Sequence, residues 1–349
     1  MSPRKTRALS WFASPPPSVG LEIAASRVTA VSIAEQGGRP MVMAHATERL
    51  PEGLVVPALN QPNITNRAAV TAAVNRVLGQ IGGRPSRIAL VIPDGAAKVS
   101  LVRFEKLPPK AEDLEQLIRW QVKKTVPFPI EQAQITWTRG ATDATGAVEF
   151  VVSLARRDII EEYEAVCQAA NAQAGLVDLA TVNLINLALL ADPTLSAAAA
   201  PTTPASTDAV ATSLAGSSVN AIDWLLVHVG ADSSTIAIVR GEQVLFFRNR
   251  PSDAEGRLSD LVHQTAMYYE DRLGGPGFSR VLVTARDVPD ALVDEVDQLY
   301  RGLAERIGDR VEGLDVRGAA GLADRIQPAA ELLSALAAPV GLVLREMYA

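Results

Sequence analysis

From residue 19 onward, apolar and polar positions alternate with a period of two. Residues 19–23 (Val-Gly-Leu-Glu-Ile) and 28–34 read as two strands joined by a small-residue turn, and Gly37-Gly38 turns the chain into a third strand over 41–46. The period then lengthens. Asn66 is placed to cap a helix whose positions Val70, Val74, Val77, Leu78 and Ile81 share one face, with Gly82-Gly83 ending it. Strands follow at 88–92 and 99–104. The clearest helix spans 110–126: Leu114, Leu117, Ile118 and Val122 make its apolar face, Glu112 and Asp113 favour its start, and Lys123 and Lys124 its end. Pro127 and Pro129 stop it. Strands at 134–139 and 148–154 lead into a helix over 158–172, with Asp158 and Glu161 as an acidic cap, and another helix over 181–190.

Residues 192–220 change to Ala, Thr, Ser and Pro with almost no large apolar side chain, a composition that buries too little surface to offset its ordering entropy. They read as a linker, as residues 1–17 read as a mobile tail ending in the stiff run Pro15-Pro16-Pro17. Beyond the linker the opening pattern restarts: a strand at 224–229, a tight turn at 230–234, a returning strand at 235–239, then Gly241 and a third strand at 244–247. Laid on the first segment, Glu22 falls on His228, Ala24 on Gly230, Ala25 on Ala231 and Thr29 on Thr235. Two halves opened by the same hairpin suggest internal duplication.

The net charge of -6, with no basic stripe beyond Arg4, Lys5 and Arg7, excludes a general nucleic-acid binder. A single cysteine, Cys167, excludes an internal disulfide, fits a reducing compartment, and falls on the apolar side of its helix as an inert thiol. The N-terminus lacks an apolar core of signal-peptide length, and the apolar stretch 332–344 is too short to span a bilayer and contains Pro339. The expected location is cytoplasmic, with any membrane contact made through a partner. His45, His228 and His263 lack metal-ligand spacing, and no P-loop or nucleophile elbow is present. Glu161-Glu162 and the pair Asp287 with Asp290 read as solvated charge.

Duplicated halves, each opened by strand–turn–strand, are the plan of the actin, Hsp70 and sugar-kinase superfamily. Within it, Leu107-Pro108, the acidic helix Glu112-Asp113-Leu114-Glu115-Gln116-Leu117-Ile118-Arg119-Trp120 and its stop Val126-Pro127-Phe128-Pro129 resemble the signature of the type IV pilus assembly PilM family, as does the closing apolar helix 335–345. The resemblance covers residues 18–349. It implies an α/β, actin-like fold of two halves, related to the division protein FtsA: a first half over 18–86, an inserted subdomain over 87–173, a return over 174–191, a second half over 221–318, and C-terminal helices over 319–349 packing on the first half. It also implies a scaffold that binds the cytoplasmic N-terminal peptide of a PilN-like inner-membrane protein, alongside other platform proteins. Self-association, in rings or filaments, is left open. Trp120 and Phe128 read first as packing the inserted subdomain against the first half; the alternative is that, with Arg119, they edge a partner groove beside the insertion.

The resemblance also places a nucleotide site in the two hairpin turns, where small residues let backbone N–H groups approach phosphate. At the first turn stand Glu22, Ala24, Ala25 and Ser26, with Thr29 where the family has lysine. A left-handed backbone at Ala24 would cost about 1–2 kcal/mol. At the second, His228 replaces an acid, while Gly230, Ala231, Asp232, Ser233, Ser234 and Thr235 keep the makings of a phosphate cradle. The strand 281–284 leads to Ala285-Arg286 instead of a glycine pair. Losing one such transition-state group costs roughly 3–4 kcal/mol, so the expectation is a degenerate site that requires no cofactor and holds ATP with magnesium at most weakly. The rival readings are an active ATPase or sugar-kinase-like enzyme, in which Glu22 holds the metal and Asp232 supplies the missing acid, the cytoplasmic module of a type II secretion platform, and an FtsA-like membrane-tethered polymer.

Overall fold

The computed structural model describes residues 15–82, 85–143, 145–196, 221–288, 290–307 and 311–348. Residues 1–14 of the expected tail and 197–220 of the expected linker lie outside the described residues.

The first half is built on β1 (Val19–Ile23), β2 (Arg27–Gln36), β3 (Arg39–Arg49), α1 (Arg67–Gln80), β4 (Arg87–Ile92), β8 (Gln173–Leu179) and α4 (Ala180–Ala191). The second uses β9 (Asp223–Val229), β10 (Ser233–Arg240), β11 (Gln243–Pro251), α5 (Leu258–Leu273), β12 (Arg280–Ala285), α6 (Asp290–Ile307) and β13 (Val311–Gly313). Strand order is β3-β2-β1-β4-β8 in one and β11-β10-β9-β12-β13 in the other, antiparallel through the first three and parallel through the rest. The two orders are the same, and the duplicated actin-like architecture follows from them. The short β14 (Gly321–Leu322) extends the first sheet beyond β3.

Side-chain alternation sorts the strands into layers. On β4, Ile88, Leu90 and Ile92 face α1 and α3 (Arg157–Ala169), while Ala89 and Val91 face the opposite way. On β9, Leu225, Val227 and Val229 face α5 and α6; Trp224 and Leu226 face inward. The inward faces of both sheets share one central core with α4 and α7 (Ala330–Tyr348). α7 is apolar on all sides because it is buried there, which is where the 332–344 stretch belongs. Two glycines permit its close approach. A Cβ on Gly20 would come within 2.6 Å of the Pro339 carbonyl oxygen, and one on Gly341 within 2.1 Å of that of Asn183. Among the described residues no helix is long and apolar enough to cross a membrane.

A third sheet, in the order β5-β7-β6, consists of β5 (Ala97–Phe104), β6 (Ala133–Thr142) and β7 (Val148–Arg156), covered by α2 (Ala111–Val122). It occupies a narrower range than 87–173: β4 at one end is a central strand of the first sheet, and α3 at the other packs on that sheet through Ile159, Tyr163, Val166 and Cys167. The helix expected to reach 126 ends at Val122 and passes into a 3-10 turn, Lys123–Thr125. The cause is Pro127, which forces Val126 into an extended conformation (φ -121°, ψ 145°). Asn66 caps α1 by accepting from the Ala69 N–H. Asp158 is not the cap of α3; the helix begins one residue earlier, and its carboxylate pairs with Arg156. Glu162, expected in solvent, accepts from the N–H groups of Asn63 and Ile64. Asp192 caps a 3-10 turn, Pro193–Leu195, whose Leu195 enters the central core, so the first residues of the expected linker are ordered.

Candidate functional site

The two hairpin turns meet at the same end of the molecule, where the C-terminal ends of β1 and β9 face each other across the halves. Their geometry repeats. Glu22 pairs with Thr29 as His228 pairs with Thr235, and the Ala24 N–H donates to the Arg27 carbonyl (2.9 Å) as the Gly230 N–H donates to that of Ser233 (2.8 Å). Neither turn needs a left-handed residue: among the described residues the only non-glycines at positive φ are Asn171 and Asp287. The strain anticipated at Ala24 is therefore absent, because its single turn hydrogen bond closes with ordinary backbone angles.

What fills the space between the turns is charge. Arg286, on the loop after β12, donates from Nη1 and Nη2 to the two carboxylate oxygens of Glu22 at 3.0 and 2.7 Å. Nη1 also reaches the Ser334 carbonyl in the first turns of α7 (3.4 Å), and Nη2 lies 3.4 Å from Nε2 of His228. A guanidinium only donates, so Nε2 must be the accepting nitrogen and Nδ1 carries the proton. Nδ1 meets the Thr181 hydroxyl at 2.9 Å, and that hydroxyl donates onward to Asp94. Asp94 accepts in addition from the Thr181 N–H (3.0 Å) and the Thr235 hydroxyl (2.8 Å). The result is a continuous chain from Glu22 through Arg286, His228 and Thr181 to Asp94, all of them buried. Burial opposes the ionisation of Asp94, but the neighbouring His228, with Nδ1 3.5 Å from the carboxylate, and the hydrogen bonds of Thr181 outweigh it and hold the carboxyl below the ordinary Asp range.

A second ion pair lies alongside. Arg27 reaches Asp287 at 2.8 Å, and Ser26 donates to the same carboxylate at 2.7 Å. Asp287 is thus part of the site and not a solvated charge; its left-handed φ of 47°, which Asp tolerates better than most residues, aims the carboxylate back at the first turn. Burial, then the neighbouring charge of Arg286, pushes the Arg27 guanidinium down. Asp232 faces the same space and makes one side-chain bond, from Ser233 (3.1 Å); burial and then the charge of Asp94 push its carboxyl up.

Most residues expected around a nucleotide line one small cavity: Glu22, Ala24, Ala25, Ser26, His228, Gly230, Ala231, Asp232, Ser233 and Arg286. Thr29 is buried beneath it against Thr47, Thr235 is turned to Asp94, Ser234 is buried in the strand, and Ala285 borders a separate depression beside α7. The cavity measures about 30 Å³, room for a water or two. Both Glu22 oxygens are committed to Arg286, the equivalent position on the second turn is an imidazole that suits a hard cation poorly, and among the described residues no three His, Cys, Asp or Glu side chains are grouped to hold a metal. The residues present do not fit magnesium with a nucleotide triphosphate. Sequence reasoning missed Asp94 and Thr181, which lie on elements with no motif of their own, passed over Arg27 in the first turn, read Asp287 as solvated, and found no partner for His228, which meets Thr181 and Arg286.

Arg119, Trp120 and Phe128 are not brought together. Arg119 pairs with Glu115 one helical turn away, Trp120 is 71% exposed, and Phe128 sits inside the core of the third sheet. A groove of about 430 Å³ lies where residues 57–59 of the first half and β5 of the third sheet face the second half. It is lined by Pro57, Ala58 and Leu59, by Ala97 to Val99 of β5, and by Phe247, Asn249 and Pro251 of β11.

Among solved structures, a chain of one described as the PilM–PilN type IV pilus biogenesis complex is similar to this one at TM-score 0.71 and 17% identity, over 95% of this chain and 99% of that one. The cytoplasmic domain of EpsL, an inner-membrane component of the type II secretion system of Vibrio cholerae, matches at TM-score 0.45 and 9% identity, over 94% of this chain and 93% of that one. A Bacteroides thetaiotaomicron protein described as having an actin-like ATPase fold and unknown function matches at 0.44 and 10%, over 85% and 91%. Residues 20–270 match the profile of the family described as type IV pilus assembly protein PilM, well over half of the chain, and the chain belongs to that family.

Proposed function

We propose that this chain is a cytoplasmic scaffold of the type IV pilus inner-membrane platform that binds the N-terminal peptide of a PilN-like membrane protein without nucleotide turnover. The observation that carries the partner half is the groove between residues 57–59 with β5 on one side and β11 of the second half on the other. β5 is an edge strand of the third sheet, so it offers unpaired main-chain groups to an added strand. Around it Pro57, Leu59, Val99, Phe247 and Pro251 supply apolar contacts, and Lys98 and Asp253 mark the rim with opposite charges. An extended apolar peptide suits that surface. The similar chain from a structure described as a PilM–PilN complex supports the choice of partner. Location at the inner membrane would come from that contact.

The cleft supports the second half of the reading. With Glu22 neutralised by Arg286 and little space left between the turns, ATP with magnesium has neither a ligand set nor a cradle. Calorimetric titration with a synthetic PilN-type N-terminal peptide, with and without Mg-ATP, tests both halves. Micromolar binding indifferent to Mg-ATP is the expected result. No peptide heat together with clear heat from Mg-ATP, and magnesium-dependent phosphate release abolished by Glu22→Gln, would replace the scaffold by an ATPase.

A further inference from the structure

We infer that Arg286 is the built-in occupant of the cleft, a clasp that holds the two halves closed without a small ligand and thereby sets the width of the groove beside β5. The second part rests on the peptide-binding reading of that groove. In a ligand-gated cleft, closure depends on the differential affinity of a bound molecule for the closed form. Here the closing contacts are covalent parts of the chain.

Besides the contact of Thr181 with His228, three sets of bonds cross between the halves at this one end. Arg286 of the second half grips Glu22 of the first and the Ser334 carbonyl of α7, which packs on the first. Arg27 and Ser26 of the first half hold Asp287 of the second. Asp94 of the first half accepts from Thr235 of the second. The first set is more enclosed than the second: the Arg286 and Glu22 side chains are 5% and 2% exposed, against 5% and 15% for Arg27 and Asp287. Nε of Arg286 and Nε of Arg27 are buried without a protein partner, so the small cavity beside them has polar groups to satisfy a water but a net excess of carboxylates against an anion.

The cleft and the groove share a wall. Asp232 and Ser233 line both. Gly95, next to Asp94, lies at the junction: a Cβ there would meet the Pro57 side chain at 3.2 Å and the Asp232 carboxylate at 3.5 Å. Opening the halves would therefore carry Asp232, Ser233 and β11 away from residues 57–59 and β5, and widen the groove from one side only.

The test is the distance between spin labels at Glu52→Cys and Glu255→Cys, exposed positions on opposite halves, with Cys167 buried and silent. The otherwise wild-type protein should give one narrow distribution, unchanged by millimolar Mg-ATP. Arg286→Ala and Glu22→Gln should broaden and lengthen it, Arg286→Lys less so, and each should weaken the synthetic PilN-type peptide by about tenfold or more in proportion to the opening. If Arg286→Ala does not fold, Glu22→Gln, which keeps the volume and an acceptor, carries the same readout. A wild-type distribution that Mg-ATP narrows, or an unchanged distribution in both variants, overturns the clasp. Opening with full peptide affinity overturns its control of the groove. Failure of the wild-type protein to bind peptide, with the distances behaving as expected, removes the groove reading alone and leaves the clasp supported.

Discussion

Arg286 and Glu22, 264 residues apart in the chain, form a two-pronged ion pair in the interior, with Nη2 of the arginine 2.7 Å from Oε1 of the glutamate. Removing one member leaves the other charge buried and unpaired, which typically costs about 3–5 kcal/mol, whereas replacing both by apolar groups of similar volume is often neutral. Arg286→Met and Glu22→Met should each lower stability to denaturant strongly, and the double variant should recover most of the loss. Additive losses would mean that the two charges are stabilised by other neighbours.

Asp94 provides a pH signature. Its carboxyl is held below the ordinary range in the folded state. A depressed folded value contributes stability that is complete above the unfolded value, about 3.9, and disappears as pH falls through the lower folded one. Asp94→Asn should therefore cost about 1–3 kcal/mol at neutral pH, with a gap from wild type that is flat above about pH 5 and closes in acid below about pH 4. A gap that grows on acidification would contradict the bonding described.

Cys167 is fully buried on α3, and burial followed by the charge of Glu164 pushes its thiol up to about 12. It should not react with a disulfide reagent at pH 8 in the native protein and should react completely on unfolding. Rapid native reactivity would place α3 elsewhere.

Gly341 tests the packing of α7 on α4. A Cβ there meets the Asn183 carbonyl oxygen at 2.1 Å, a backbone atom that moves only with its helix. Gly341→Ala should lower stability by about 1–3 kcal/mol in spite of alanine's better helix propensity. An unchanged or raised melting temperature would show that the helices separate freely.

Trp120 and Phe247 separate two positions for a partner peptide. Trp120 is exposed, so Trp120→Ala should change stability by no more than about 0.5 kcal/mol, and it should leave peptide affinity intact. Phe247 lines the groove, and Phe247→Ala should weaken the peptide by about tenfold or more. The reverse pattern would move the partner to the exposed face of α2.

Much of the fold was legible from local pattern because its causes are local. The period-two runs became β1 to β3 and β9 to β11, Asn66 capped α1, and Pro127 stopped α2. The alignment of Glu22 with His228 and Thr29 with Thr235 survives as equal strand pairing in two sheets of the same order. The cause of α5 is local too, since Leu258, Leu261, Val262, Thr265 and Tyr269 hold helical spacing. β8 carries no alternation of its own; it is a strand because β4 supplies its hydrogen bonds.

The site divides in the same way. By itself the sequence determined that the turns carry Glu22 and His228 in equivalent places and that Arg286 stands beyond the strand 281–284. Tertiary structure alone decided what those residues do, because a buried charge takes its role from the partner that neutralises it and the partners come from remote elements: Asp94 after β4, Thr181 at the start of α4, Asp287 beyond β12. Periodicity is a property of neighbours along the chain, whereas the pairing of Arg286 with Glu22 exists only once two duplicated halves have been brought face to face around α7.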